Sequence, residues 1–201
     1  MKHGDWAVEL RRQGSELQAD QIEMLRGYLD ALHARAIPRG FVGAGDAERL
    51  WERHIRDSLR ALPEISPGST IVDIGSGAGL PGIPLAIALP SSSVTLVEVR
   101  KGRVAFLEAV IDDLALPNVE VFLGRVTEVS ATFSVSVARA FSSAAASWAA
   151  AQPLLEPGGR LIYWAGTGFQ GAELDEEGVS WRVSTPLGLA ESGPLVIMGR
   201  Q

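Results

Sequence analysis

The 201-residue chain contains no cysteine, which excludes disulfide frameworks, zinc–thiolate sites, iron–sulfur clusters and thiol nucleophiles together. It also lacks a long apolar run: prolines or charges interrupt every stretch within about ten residues, far short of the roughly 20 needed for a membrane helix. No basic start followed by an apolar segment opens the sequence, so a cytoplasmic protein with no membrane contact is expected. Low-complexity, collagen-like and repeat patterns are missing too. What remains, 46% apolar and 21% charged residues, is the composition of an ordinary globular protein of one domain with at most a small appendage.

The net charge of −6 argues against a polyanion partner only on average. Residues 1–60 carry ten Lys/Arg against ten Asp/Glu, whereas residues 61–201 carry eight against fourteen. The N-terminal part is therefore the relatively basic one, and local patches rather than net charge decide contact with nucleic acid.

From residue 15 to about residue 36, Ile22, Leu25, Leu29 and Leu32 recur at three- and four-residue spacing behind a Ser15…Gln18 capping box, which predicts an amphipathic helix. The glycines and proline of residues 37–45 predict a loop. A second helix is expected from Asp46, as N-cap, to Leu62. At 100° per residue its Trp51, Ile55, Leu59 and Leu62 fall within about 80° of one another, and Arg49, Arg53, Arg56 and Arg60 gather on the other side. That arginine face fits either a solvated surface balanced by Glu48, Glu52 and Asp57 or contact with phosphates. His54 and Ser58 fall on the border between the two faces, and structural and substrate roles are both open for them.

From Ser69 onward short β-branched runs alternate with helical stretches, the pattern of a doubly wound α/β sheet. Strands are expected near 70–74, 93–98, 119–123, 133–138 and 159–164, with helices near 82–89, 101–115 and 142–155. Val179 to Val183 and Leu195 to Met198 predict an antiparallel hairpin at the sheet edge. By fold-level analogy that favours methyltransferases over dehydrogenases. The expected division is an N-terminal helical segment packed on the core, residues 1–65, and an α/β domain, residues 66–201.

The strand Ile71 to Ile74 runs into Gly75-Ser76-Gly77-Ala78-Gly79-Leu80-Pro81-Gly82, a glycine turn opening a helix. Glycines there let the backbone adopt positive φ and approach a ligand closely at the sheet's carboxyl edge. Pro81 and Pro84 crowd the helix start, where a diphosphate would need free N–H donors, so a nucleoside ligand without a diphosphate fits better. Glu98 ends the next strand 21 residues after Gly77, about the separation at which an acid reaches ribose hydroxyls; the alternative is a solvated strand end.

Taken together, Glu52-Arg53-His54-Ile55-Arg56-Asp57-Ser58-Leu59, the Asp73–Pro84 turn, Arg100-Lys101-Gly102-Arg103-Val104-Ala105-Phe106-Leu107 and Arg139-Ala140-Phe141 resemble the bacterial 16S ribosomal RNA guanine-N7 methyltransferases called RsmG or GidB. The resemblance covers about residues 46–164. It implies a Rossmann-like class I methyltransferase, with a mostly parallel seven-stranded sheet, an antiparallel edge hairpin and N-terminal helices. It also implies S-adenosylmethionine as cofactor, no metal, and 16S rRNA or the 30S subunit as partner of a monomeric enzyme.

By that resemblance Gly75, Ser76, Gly77, Gly79 and Leu80 line the cofactor pocket, Glu98 holds the ribose, Val126 and Thr127 bracket the adenine, and Arg139 stands at the cofactor and guanine side. Arg139 is the candidate catalytic residue, gripping guanine O6 or a flanking phosphate; the alternative is an ion pair with Asp57 or Asp73. His54, Ser58, Arg49, Arg53, Arg56 and Arg125 are candidate substrate contacts, while Trp148 and Trp164 are expected in the core. The chain departs from the family pattern at Gly40-Phe41-Val42-Gly43, at Thr127 and at Ala165-Gly166. Two other classes stay open: a small NAD-dependent dehydrogenase, and a non-catalytic module binding S-adenosylmethionine or RNA.

Overall fold

In the computed structural model, which describes residues 17–175, 179–184 and 192–200, the β-branched runs form β1 Thr70–Ile74, β2 Ser93–Glu98, β3 Val119–Leu123, β4 Phe133–Arg139 and β5 Leu155–Trp164. β6 Ser180–Ser184 and β7 Leu195–Gly199 complete one seven-stranded sheet of order β3-β2-β1-β4-β5-β7-β6. The first five strands are mutually parallel, joined by helices except between β3 and β4, where only a short 3₁₀ turn intervenes. The expected antiparallel edge hairpin is present: β7 pairs antiparallel with both β5 and β6, and β6 is its outer strand. Val196 and Met198 face one helical layer and Leu195 and Ile197 the other, so β7 is apolar on both sides and fits an interior position.

The helices are α1 Ala19–Ala31, α2 Asp57–Leu59, α3 Gly82–Ala88, α4 Lys101–Asp113, α5 Ala144–Ala151 and α6 Ala172–Asp175. Ile71, Leu96, Val137 and Ile162 pack under α1, α3 and α4, while Val72, Ile74, Val97 and Leu161 pack under α5, the period-two alternation of strands covered on both faces. Leu25, Tyr28 and Leu32 belong to the first of these clusters, so the N-terminal helix shares its core with the sheet. Each wholly buried aliphatic side chain contributes about 1.5–3 kcal/mol.

Two local expectations change. The expected Ser15 cap lies outside the described residues; α1 starts at Ala19, and the Gln18 N–H donates to Gln21 Oε1 at 2.8 Å. Gln21 Nε2 also donates to the Ile87 carbonyl at 2.8 Å, tying α1 to the end of α3. The second helix is not regular: a 3₁₀ stretch Ala44–Arg49 leads into a π stretch Trp51–Arg56 and then into α2. Asp46 is not its cap. It sits within the 3₁₀ stretch and aims its carboxylate two turns ahead, at Arg53 and His54, because two basic groups attract it more than the helix amides do. Among the described residues no helix is long and apolar enough to cross a membrane.

Candidate functional site

The glycine turn hangs from the carboxyl ends of β1 and β2. Gly75 and Ser76 N–H both donate to the Val97 carbonyl, and φ is +74° at Gly75, +60° at Gly77 and +93° at Gly79, a run of left-handed conformations that only glycine adopts without strain. At Gly79 the space is also closed, since a Cβ would come within 2.6 Å of Ile83 and 2.9 Å of Leu107. The space over Gly77 is open: a Cβ there would meet nothing closer than 3.9 Å. From behind, the buried Tyr28 hydroxyl donates to the Ala78 carbonyl at 2.7 Å, so α1 supports the turn.

The start of α3 offers no anion site. Gly82 N–H donates to Asp73 Oδ2 at 2.9 Å, Ile83 N–H to the Gly79 carbonyl at 2.8 Å, and Pro84 has no N–H. A diphosphate would find these donors taken, which removes the basis for a dinucleotide. Asp73 itself is wholly buried, its Oδ1 has no hydrogen-bond partner, and burial raises its pKa to about 7 against the opposing pull of the Gly82 N–H and Arg139.

Glu98, 4% exposed, sits over this turn. Its Oε2 accepts from Gly77 N–H at 3.1 Å and from Arg103 Nη1 at 3.4 Å, and its Oε1 accepts from Arg100 N–H at 2.8 Å. Arg103 in turn lies over the Phe41 ring, 5.8 Å from its centroid, which brings the Gly40–Gly43 segment against the same wall. Oε1, with a single donor, keeps a lone pair for a further one. An open glycine turn faced by a fixed carboxylate is a cradle that fits a nucleoside carrying a vicinal diol. Val126 and Thr127 follow β3 in a 3₁₀ turn next to this wall, where Gly124 N–H donates to the Glu98 carbonyl at 3.1 Å.

Beside the cradle, across the ends of β4 and β5, lies a cleft of about 730 Å³. Arg49, Arg53, Arg56, Arg60 and Arg139 all line it, against the acids Glu52 and Asp57, so the arginine stripe of the irregular helix faces a concave site. Trp164 forms part of the floor, and its indole N–H donates to the Asp57 carbonyl at 3.0 Å. Arg60, with a 4% exposed side chain, binds Asp57 Oδ1 at 2.6 Å and the Gly193 carbonyl at 2.9 Å; it is a wall, while Arg53, half exposed, is rim.

Arg139 joins cleft to cradle. It ends β4 and is held by Asp57 Oδ2 at 3.4 Å, the Arg53 carbonyl at 3.4 Å and His54 Nδ1 at 2.7 Å, while His54 Nε2 meets Asp46 Oδ2 at 3.1 Å. Burial pushes the Arg139 pKa below its ordinary value and Asp57 opposes that shift; a guanidinium stays charged throughout. The expected alternative, an ion pair with Asp57, is thus present, and it aims the fork along the cleft wall. Ala140 follows at φ +52°, and Phe141 lies against Gly75, whose Cβ would meet the ring at 2.6 Å.

The structure therefore brings Arg49, Arg53, Arg56, His54 and Arg139 into one cleft, and Gly75, Gly77, Gly79 and Glu98 into one cradle. Leu80 and Ser76 are buried behind the cradle, the Ser76 hydroxyl donating to the Asp73 carbonyl. Two residues are not brought to the cleft. Ser58 is wholly buried with its hydroxyl donating to the His54 carbonyl at 2.6 Å, and Arg125 is exposed on the far side, beyond β3. Sequence reasoning missed Asp46, Tyr28 and Phe141; the eight-residue spacing of Asp46 and His54 was the one signal available for the first.

A family model described as GidB, rRNA small subunit methyltransferase G, matches residues 21–185. The ribosomal RNA small subunit methyltransferase G of Mycobacterium leprae (strain TN) is 40% identical over 147 residues, which is 71% of this chain and 60% of that protein. That of Salinispora arenicola (strain CNS-205) is 36% identical over 186 residues, 87% of this chain and 76% of the relative. This chain thus spans about 60% of the length of the Mycobacterium leprae relative. Two solved structures share the fold: a SAM-dependent methyltransferase from Aquifex aeolicus, TM-score 0.56 at 17% identity over 74% of this chain and 92% of that one, and a precorrin-6y C5,15-methyltransferase from Geobacter metallireducens GS-15, TM-score 0.55 at 13% identity over 73% and 87%. With the family model spanning most of its length, and the arginine cleft set beside the glycine turn, this chain belongs to the GidB family, rRNA small subunit methyltransferase G.

Proposed function

We propose that the protein transfers a methyl group from S-adenosylmethionine to N7 of a guanine in the 16S rRNA of the small ribosomal subunit, in the cytoplasm. The observation that carries this reading is the arginine-lined cleft beside the glycine cradle: Arg139 lines the cleft at the end of β4, which pairs with β1, and Phe141, two residues on, lies against Gly75. When bound, the cofactor supplies an electrophilic sulfonium methyl. Gly75, Gly77 and Gly79 would carry it against their backbone, and Glu98 would take the ribose hydroxyls. Guanine N7 already bears a lone pair, so no side chain has to remove a proton. The protein's part is alignment, which supplies several kcal/mol in well-oriented reactions. Arg139 would present its planar fork to guanine O6 and an adjacent phosphate, stabilising charge as N7 becomes methylated. Arg49, Arg53 and Arg56 would take flanking phosphates.

The test is methylation of small ribosomal subunits that lack the modification, using methyl-labelled S-adenosylmethionine, followed by nuclease digestion and mass spectrometry. Label on one N7-methylguanine of 16S rRNA is expected. Label on another atom or RNA overturns the reading, and tight cofactor binding without turnover points instead to a binding module.

The cleft rim makes a second expectation. Removing Arg49 and Arg53 together should weaken rRNA binding and lower the magnitude of its log–log salt slope by about 0.7–0.9 per lost phosphate contact, with the modified position unchanged. Filter binding across a salt series reads this directly; an unaltered slope would mean that the rim arginines touch no phosphate.

A further inference from the structure

Arginine has no acceptor, so the 2.7 Å contact between Arg139 Nη2 and His54 Nδ1 requires a lone pair on Nδ1. The imidazole proton is then on Nε2, where Asp46 Oδ2 accepts it at 3.1 Å. Asp46 therefore selects the tautomer that can receive Arg139, as a carboxylate orients the histidine in other relays. On the opposite side Asp57 holds Nη1. The fork is thus clamped between a neutral acceptor and a carboxylate, both on the irregular helix.

We propose that His54, with its tautomer set by Asp46, is a positioning residue for Arg139: the neutral imidazole fixes the guanidinium toward the cleft and releases it when a proton reaches Nδ1. Protonated His54 would turn an N–H against a cation and break the contact. The charged groups facing the imidazole are Asp46 from the 3₁₀ stretch, Arg53 on its own stretch and Arg139 from β4, with Asp57 beyond the guanidinium; Arg49, Arg56 and Glu52 line the same cleft. Burial, first, and the Arg139 charge, second, lower the His54 pKa from 6.5, with Asp46 opposing, so the neutral form persists at neutral pH and charging begins below the ordinary imidazole range. The sign follows: Arg139 stays clamped through the ordinary imidazole range and is freed only as pH falls below it.

This inference rests on the proposed role of Arg139 for its effect on turnover, but not for its effect on the imidazole. Nitrogen-15 NMR of the intact protein reads the tautomer directly, since only three histidines are present. At pH 7.5 His54 should carry its proton on Nε2, and in Arg139→Ala its titration midpoint should move up as the neighbouring cation is lost. A proton on Nδ1, or a midpoint indifferent to Arg139, overturns the proposal whatever the enzyme methylates. In turnover, His54→Asn places an amide oxygen near Nδ1 without a titratable group, whereas His54→Gln reaches toward Asp46 and leaves Arg139 Nη2 without its acceptor, Asp57 still holding Nη1. His54→Gln should lower kcat about tenfold more than His54→Asn, and His54→Asn should flatten the acid limb seen in the wild type; other titrations, Asp73 included, are common to both and cancel. Equal kcat in the two variants, or an acid limb in His54→Asn identical to that of the wild type, overturns the proposal. If Arg139→Ala methylates normally while the tautomer and midpoint behave as stated, the clamp stands and the reading of Arg139 as the guanine contact fails.

Discussion

Replacing Arg139 by alanine should lower kcat/KM for rRNA methylation about 100-fold or more while leaving most of the affinity for S-adenosylmethionine, the scale of a lost charge-assisted positioning contact. The cradle makes that split expected: Glu98 draws its hydrogen bonds from Gly77, Arg100 and Arg103, and none from Arg139. Asp57 keeps Arg60 at 2.6 Å after the substitution, so its carboxylate is not stranded and the fold should survive. Lysine should rescue poorly, because a single ammonium cannot span Asp57, His54 and a substrate edge at once. Calorimetry of cofactor binding beside steady-state kinetics decides the matter. Proportional losses in both would assign Arg139 to the cofactor pocket, and no loss in either would leave it as a structural partner of Asp57 and His54.

A second large effect belongs to Asp73. In the folded protein burial raises its pKa from 3.8 to about 7, so between those values the native state binds a proton that the unfolded chain has released. By linkage the stability owed to this group is greatest at the acid end, falls as pH rises from 3.8 to about 7, and is level above that. The full span is worth roughly 4 kcal/mol. Other carboxylates run the opposite way, so the quantity to measure is the difference between wild type and Asp73→Asn in urea unfolding from pH 5 to pH 8. That difference should shift in favour of the variant by about 3 kcal/mol across the range. Parallel curves would mean that Asp73 is ionised throughout, with its Oδ1 satisfied.

Which parts of this molecule could be read in advance follows from the range of the interactions. β1, β2 and β3 stand where the β-branched runs between glycine and proline signals place them, because strand formation there depends on neighbours in sequence. The approach of Glu98 to Gly77 was legible for a similar reason: adjacent parallel strands bring together residues 21 apart whenever a short helix joins them. The helix after Gly43 was not. A phase of 100° per residue assumes i→i+4 bonding throughout, and the π stretch Trp51–Arg56 breaks that assumption, leaving His54 at the cleft and burying Ser58. Nor could any pattern place His54 against Arg139, 85 residues away, or move Asp46 from a capping role to a tautomer-setting one; both are decided by tertiary packing. Phe141 was visible as part of Arg139-Ala140-Phe141, but its seat on Gly75 depends on the left-handed turn at Ala140.

The place of β7 bears on how the molecule comes together in time. Among the described residues β6 pairs with β7 alone, so it has nothing to dock on until the later segment has threaded between it and β5. The pairing of β7 with β5 spans 31 to 39 residues, from Trp164↔Leu195 to Arg160↔Gly199, so β6 joins the sheet only after this loop has closed. Arg60, a wall of the cleft, takes the Gly193 carbonyl just ahead of β7. A nascent chain interrupted between β6 and β7 would hold a five-stranded core and the glycine turn, yet its arginine cleft would lack one side.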